Sequence, residues 1–376
     1  MTGDGRIKVL QFPIANSKGG ITQYALQNWK FIDKSKFQFD FATLSQKLDF
    51  EEQLKKSGAG VFYISCSAEQ DKEQFSKEFR NILIKGNYDV IHLHTGKWKS
   101  LLVEEIAKEL GIKKVILHAH STGIDILDES ERIKGEKRHN EVRGLLNESV
   151  ATDYWACSLK AADFLYGDRI PREKIVIMNN AIDLSSFEYD EEKRMRIRKE
   201  LGVADDEIII GNVGRLSYTK NQGFLLRVFN EICKFQNNYK LFLVGDGELK
   251  EDYFRFVKEN HLEGKVLFWG FRKDVNQLLQ AMDVFCLPSR FEGFGMVLVE
   301  AQASGLLCLA SNNIPNETEV SDLIEYLPLE EEEWVNKLLN VKKKTRVSDI
   351  EKIRNHGYDI KDAIKKVEML YMNMEG

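Results

Sequence analysis

Short apolar runs alternate with longer amphipathic stretches along the whole of this 376-residue chain, and the alternation pauses only once. That alternation is the signature of βα units, in which each helical crossover makes successive strands parallel. Strands are predicted in the first half at 6–12, 37–43, 61–64, 89–93, 114–118, 152–157 and 174–178. In the second half they are predicted at 207–213, 239–244, 265–269, 283–287 and 306–310. The pause, residues 184–205, is rich in charge, as in Tyr189-Asp190-Glu191-Glu192-Lys193-Arg194. A chain of this length exceeds what one hydrophobic core usually supports. Two doubly wound α/β domains are therefore expected, 1–184 and 185–356. Residues 357–376 carry Ile360, Ala363, Ile364, Val367, Leu370 and Tyr371 at near-helical spacing and are predicted as a terminal amphipathic helix.

Charge and cysteine usage narrow the function classes. The first 185 residues hold 27 Lys and Arg against 26 Asp and Glu, and the remainder 27 against 33. Neither half has the basic excess that binding nucleic acid through its phosphates requires, so no nucleic-acid partner is expected. The five cysteines form no C-x-x-C pair and lie mostly in apolar runs, which fits buried reduced thiols. No apolar signal segment precedes the first strand and no run is long enough to span a bilayer, so a cytoplasmic location is expected.

In open parallel sheets ligands bind beyond the carboxyl ends of the strands, and two such domains facing each other would hold one in the cleft between them. Gly214-Arg215-Leu216-Ser217-Tyr218-Thr219-Lys220 follows a predicted strand. Arg215 and Lys220 suit a diphosphate there, one as a planar donor fork and the other as a mobile point charge. Read alone, the same loop is more readily a solvent-facing turn with two ordinary charges, and its place in the strand series is what favours the diphosphate. Gly245-Asp246-Gly247-Glu248 and Gly270-Phe271-Arg272-Lys273-Asp274 follow the next two strands; the second could offer backbone groups to a base ring, or be a plain turn.

The densest region is Pro288-Ser289-Arg290-Phe291-Glu292-Gly293-Phe294-Gly295-Met296, which runs into a short helical stretch ending at Gly305. A helix N-terminus there favours phosphate oxygens. Glu292 precedes that helix and Glu300 lies inside it. Their spacing assigns them to different parts of one ligand rather than to an acid/base pair, and ionised carboxylates, which only accept, suit the hydroxyls of a sugar and a ribose. Dipole compensation for Glu300 and a solvated turn for Glu292 are the bland alternatives.

Gly19-Gly20 precede the first helix, where backbone amides could approach a phosphate or an acceptor. His92 with His94 and His118 with His120 each place two imidazoles on one face of a strand. No carboxylate or cysteine accompanies them at ligand spacing, so no metal site is expected. His120, outermost, is the candidate for the cleft, whereas His92 and His118 are expected to be packed in the sheet. Arg132, Lys134, Lys137, Arg138 and Arg143 form a basic helical stretch. It reads as a solvated face, with peripheral contact to anionic lipid headgroups as the alternative.

Glu292 and Glu300 as Glu-x7-Glu, Gly214-Arg215 followed by Lys220, and Gly19-Gly20 together make the chain resemble the retaining glycosyltransferases of GT-B fold, nearest to those that build bacterial capsular and exopolysaccharides. The resemblance implies two facing Rossmann-like domains and a last helix that crosses back to the first. It further implies a nucleotide-sugar donor, with a UDP-sugar expected, a saccharide or lipid-linked acceptor, and retention of anomeric configuration without a metal or other cofactor. Arg215 and Lys220 would neutralise the diphosphate, and Glu300 would hold the ribose. Glu292 and the amides of Phe294, Gly295 and Met296 would hold the sugar and nearby phosphate, with Gly214, Arg272 and Val297 completing the donor site. His120 would lie by the transferred sugar, and Gly19-Gly20 near the phosphate and acceptor. The chain contains no Asp-x-Asp, in keeping with metal independence. Where the family often has Pro-Asn-Gly-Ile-Asp between domains, this chain has Asn179-Asn180-Ala181-Ile182-Asp183. A sugar-nucleotide 2-epimerase of the same architecture and a non-catalytic sugar-nucleotide-binding partner stay open as alternatives.

Overall fold

The computed structural model describes residues 5–16, 19–341 and 346–374. The chain divides into two compact units, one of residues 1–124, 130–181 and 360–376, the other of residues 125–129 and 182–359.

The first unit runs β1 (Ile7–Ile14), α1 (Gly20–Phe31), β2 (Phe37–Thr43), α2 (Glu51–Lys56), β3 (Val61–Tyr63), α3 (Lys72–Gly86), β4 (Val90–Thr95), α4 (Leu102–Glu109), β5 (Lys114–Ala119), α5 (Glu129–Arg143), β6 (Asp153–Ala156), α6 (Leu159–Tyr166) and β7 (Ile175–Ile177). Its seven strands are parallel in the order β3-β2-β1-β4-β5-β6-β7. The second unit runs α7 (Glu191–Glu200), β8 (Ile208–Val213), α8 (Gln222–Ile232), β9 (Tyr239–Val244), α9 (Lys250–Glu259), β10 (Val266–Gly270), α10 (Val275–Ala281), β11 (Val284–Leu287), α11 (Met296–Ala303), β12 (Leu307–Ser311), β13 (Ile324–Leu327), α12 (Glu331–Leu339) and α13 (Ile350–Asn355). Its six strands, also parallel, are ordered β10-β9-β8-β11-β12-β13. In both sheets the strand order reverses direction beside the first strand, the switch point at which doubly wound sheets bind ligands.

The last helix, α14 (Ile360–Met372), belongs to the first unit and buries Ile360, Ile364, Val367 and Tyr371. Tyr371 stacks on Trp155 of β6 with ring centroids 5.9 Å apart. Burial of four such side chains contributes about 1.5–3 kcal/mol each. The chain leaves the first unit after Ala181 and rejoins it at Ile360, and the two crossings run side by side: Ile182 bridges Asp359 and its N–H donates to the carbonyl of Tyr358. These crossings lie a few residues from the limits of 184 and 357 drawn from sequence.

The charged pause contains α7, which turns Arg194 and Arg198 inward onto Asp283, with Arg198 Nη1 3.1 Å from its carboxylate. Both guanidiniums also cap the carbonyls at the end of α10, among them Ala281 O. The strand β13, between Asp322 and Pro328, was not predicted, since four residues with Glu325 among them give too short an apolar run.

Candidate active site

In the second unit the loops at the carboxyl ends of β8 and β11 are tied to each other. Asn221, at positive φ before α8, donates through Nδ2 to Pro288 O at 3.0 Å, and Arg290 N donates to Thr219 O at 2.8 Å. Beneath them buried Asn212 donates to Cys286 O, while Gln222 donates to Asn212 and to Arg215 O. These buried amide donors fix the two loops as one surface.

Two cations stand on that surface, each against a carboxylate. Lys220 Nζ lies 2.6 Å from Glu292 Oε1, which also accepts from Ser289 Oγ at 2.6 Å. Arg215 pairs with Asp125, whose other oxygen accepts from Thr219 N at 3.1 Å. Asp125 follows β5 in the chain yet groups with the second unit, a pairing across ninety residues that sequence spacing gives no means of finding. The stem of Lys220 lies over Gly214, where a Cβ would stand 3.2 Å from it.

The helix α11 opens after Gly295 at φ +97, with no side chain capping its first turn. Phe294 is buried and stacks on Tyr358, ring centroids 5.2 Å apart, which anchors the Gly293-to-Gly295 turn against the chain's second crossing. Glu300 lies in the second turn. Burial pushes its carboxyl up to about 7, with Lys220 pulling the other way. A carboxylate held near neutrality by desolvation gains from hydroxyl donors that stabilise its ionised form. The surface thus offers an uncapped helix N-terminus, two cations each paired with a carboxylate, and the further carboxyl of Glu300, a set suited to a diphosphate with hydroxylated groups on both sides.

The glycines after β9 prove to be packing devices. A Cβ on Gly245, at φ +143, would lie 1.9 Å from Gly214 O, and one on Gly247 2.3 Å from Leu216 O. This turn supports the Arg215 loop from below. Arg272 is held bidentately by Asp274 at 2.7 and 2.6 Å and lies over Trp269, so its guanidinium faces its own loop.

In the first unit Gly19 caps α1 and Gly20 opens it, and a Cβ on either would meet nothing within 4 Å. No fold contact asks for glycine at these two positions. The four histidines form one group instead of two separate pairs: β4 and β5 are in register so that His92 Nε2 lies 3.0 Å from His118 Nδ1 and His94 Nδ1 3.0 Å from His120 Nε2. Ligating nitrogens of His92, His94 and His118 fall within 4.8 Å of one another, close enough to share an ion, but the facing nitrogens are bonded to each other. The basic stretch is α5, of which Arg138 donates to Lys99 O in the loop before α4 and Arg143 to Phe164 O in α6. No helix among the described residues is long and apolar enough to cross a membrane.

The family described as Glycosyl transferases group 1 matches residues 193–325, the stretch that carries Arg215, Lys220, Glu292 and Glu300. EpsF of Bacillus subtilis (strain 168), a protein assigned to the glycosyltransferases, is 30% identical over 337 residues, covering 86% of this chain and 84% of its own. The UDP-Gal:alpha-D-GlcNAc-diphosphoundecaprenol alpha-1,3-galactosyltransferase of Escherichia coli is 25% identical over 98% of this chain and 97% of its own. Among solved structures, HepE of Anabaena in complex with UDP and glucose superposes with a TM-score of 0.77 at 21% identity, covering 98% of this chain and all of that one. WaaG, a glycosyltransferase involved in lipopolysaccharide biosynthesis, gives 0.76 at 16% identity over 98% of this chain and all of its own. The chain therefore belongs to the group 1 glycosyltransferases, with the GT-B fold.

Proposed function

We propose that this glycosyltransferase moves a hexosyl group from a UDP-sugar to a hydroxyl of a lipid-linked or growing polysaccharide, with retention of anomeric configuration and without a metal ion. The observation that carries the reading is the pairing of Lys220 with Glu292 beside the uncapped start of α11. An arriving diphosphate takes Lys220 and Arg215 from their carboxylates and lies at the helix N-terminus. Glu292, released, accepts from sugar hydroxyls, and Glu300 accepts from the ribose. Phe294, Gly295, Met296 and Val297 line the diphosphate through the backbone, with Gly214 below and Arg272 beside the base. Leaving-group stabilisation by the two cations is then the main catalytic contribution, and His120 and Gly19-Gly20 serve the transferred sugar and the acceptor.

The uridine base rests on relatives: one is named for a UDP-Gal donor and a diphosphoundecaprenol acceptor, and another is solved with UDP and glucose. A lipid-linked acceptor places the work at the cytoplasmic face of the membrane, with basic α5 as the contact to anionic lipid. The test is incubation with a UDP-sugar panel, with and without a saccharide-diphospholipid. Transfer requires acceptor and yields glycosylated lipid with UDP in equal amount. Conversion of the sugar without acceptor marks a 2-epimerase instead, and binding without UDP release marks a non-catalytic partner.

A further inference from the structure

Six side chains of the first unit form one unbranched hydrogen-bond chain. His120 Nε2 meets His94 Nδ1 at 3.0 Å, and His94 Nε2 meets Gln11 Oε1 at 2.8 Å. Gln11 Nε2 meets the Tyr371 hydroxyl at 3.1 Å, that hydroxyl meets His92 Nδ1 at 2.6 Å, and His92 Nε2 meets His118 Nδ1 at 3.0 Å. The chain ends at His118 Nε2, buried and without a partner among the described residues. Burial pushes His120 down to about 3 and the other three imidazoles well below their ordinary value, so each carries one proton.

With one proton per imidazole two opposite orders run unbroken through the chain, and a third, in which the phenol oxygen accepts from both Gln11 and His92, leaves the buried phenol proton outside it. Distances separate them. Hydroxyl donors make contacts near 2.7 Å and amide N–H donors contacts near 3.0 Å, roughly. The 2.6 Å link fits the phenol giving its proton to His92, and the 3.1 Å link fits the amide of Gln11 giving to the phenol. Reversal would make the shorter link an N–H···O contact and the longer one an O–H···O contact, each outside its usual range. The order that follows runs one way, from His120 through Gln11 and Tyr371 to His118. His92 gives from Nε2 to His118, His94 gives from Nε2 to Gln11, and His120 gives from Nε2 to His94.

We propose that Gln11 and Tyr371 are positioning residues which fix all four histidines as Nε2–H tautomers and so leave His120 Nδ1 as a bare acceptor for a hydroxyl of the transferred sugar. This rests on the proposed placement of that sugar by His120. The consequence is electrostatic. A sugar that gains positive charge as its bond to the diphosphate breaks is favoured by a hydroxyl that gives its proton to a neutral nitrogen, and opposed by an N–H or an imidazolium aimed at it. The amide of Gln11 on β1 thus acts on the reaction through His94 and His120, while the phenol of Tyr371 on α14 fixes His92 and His118.

The test is nitrogen NMR of the full chain with its imidazoles labelled, which distinguishes the tautomers without substrate. The expected result is four Nε2–H histidines, unchanged between about pH 5.5 and 8. Tyr371→Phe should admit the Nδ1–H form at His92 and His118 while His94 and His120 keep theirs. Gln11→Leu should release His94 and His120 and lower kcat about tenfold with the donor KM moved less than about twofold. Any Nδ1–H histidine of the four in the unaltered protein overturns the proposal. So does full kcat in Gln11→Leu while Lys220→Ala is inactive, since the donor site then stands and the positioning role does not. Full turnover in Lys220→Ala instead removes the functional reading itself, leaving the tautomer result to be judged on the spectrum alone.

Discussion

Lys220 and Glu292, 72 residues apart in the chain, meet at 2.6 Å, and Ser289 gives its hydroxyl proton to the same carboxylate oxygen. Both are largely enclosed, with side-chain exposures of 21% and 10%. The pair holds the ammonium where a diphosphate would take it over, and it makes each partner costly to remove alone.

Lys220→Ala should lower turnover at least about a hundredfold, the scale found when one donor to a developing anion is lost. It should also destabilise the second unit by about 1–3 kcal/mol, because Glu292 is left enclosed without its cation. Adding Glu292→Gln should restore the melting temperature and leave turnover absent. Thermal melts and steady-state rates of the single and double variants check both halves.

Arg215 is tied to Asp125, whose other oxygen holds Thr219 N at 3.1 Å. Asp125→Asn keeps an acceptor for that amide and removes the charge competing for the guanidinium. Donor affinity should tighten about two- to fivefold, the scale of a partly exposed ion pair. Titration calorimetry with UDP measures it, and weaker binding would show that Asp125 helps the donor.

Glycines of the two units should answer differently to a methyl group. Gly245→Ala forces a Cβ to 1.9 Å from Gly214 O at a φ of +143, so a loss of about 1–3 kcal/mol and a weakened donor site are expected. Gly19→Ala and Gly20→Ala meet open space. They should leave the melting temperature within about 2 °C while lowering kcat/KM, if the space is there for a ligand.

Acidity should act on binding and on stability with separate signs. Glu300, raised to about 7 by burial, must ionise to accept from donor hydroxyls, so UDP-sugar affinity should fall as pH drops below about 7, approaching tenfold per unit. The buried histidines are lowered in the folded state, so the unfolded chain binds more protons below its histidine pKa of about 6.5. Their contribution is present above that pH and lost as pH falls. Glu104 and Glu300, raised to about 7, offset part of this because they bind protons in the folded state. Four imidazoles outweigh two carboxyls, and denaturation midpoints should rise from about pH 5 to 6.5.

The parallel sheets were legible because each buried strand is a short apolar run bounded by turns, as with Ile208–Val213 and Tyr239–Val244. The spacing of Glu292 and Glu300 also located the start of α11, since Gly295 and Gly305 punctuate that helix on both sides. Contacts made across the fold were not legible. Asp125 reaches Arg215 through a loop that leaves the first unit, and Gly245 is glycine because Gly214 lies against it. His92 and His94 looked like one pair and His118 and His120 another, because only the register of β4 on β5 joins them. Tyr371 looked like a helix-face apolar residue, and its hydroxyl at the centre of the histidine chain leaves no periodic mark.

The most direct measurement of the central claim is product formation from a UDP-sugar and a saccharide-diphosphoundecaprenol acceptor, with the new anomeric linkage read by NMR. The expected result is acceptor-dependent release of UDP in equal amount to a glycosylated lipid whose linkage keeps the donor's configuration, lost in Lys220→Ala. An inverted linkage, release of UDP that ignores the acceptor, or unchanged turnover in Lys220→Ala would contradict it.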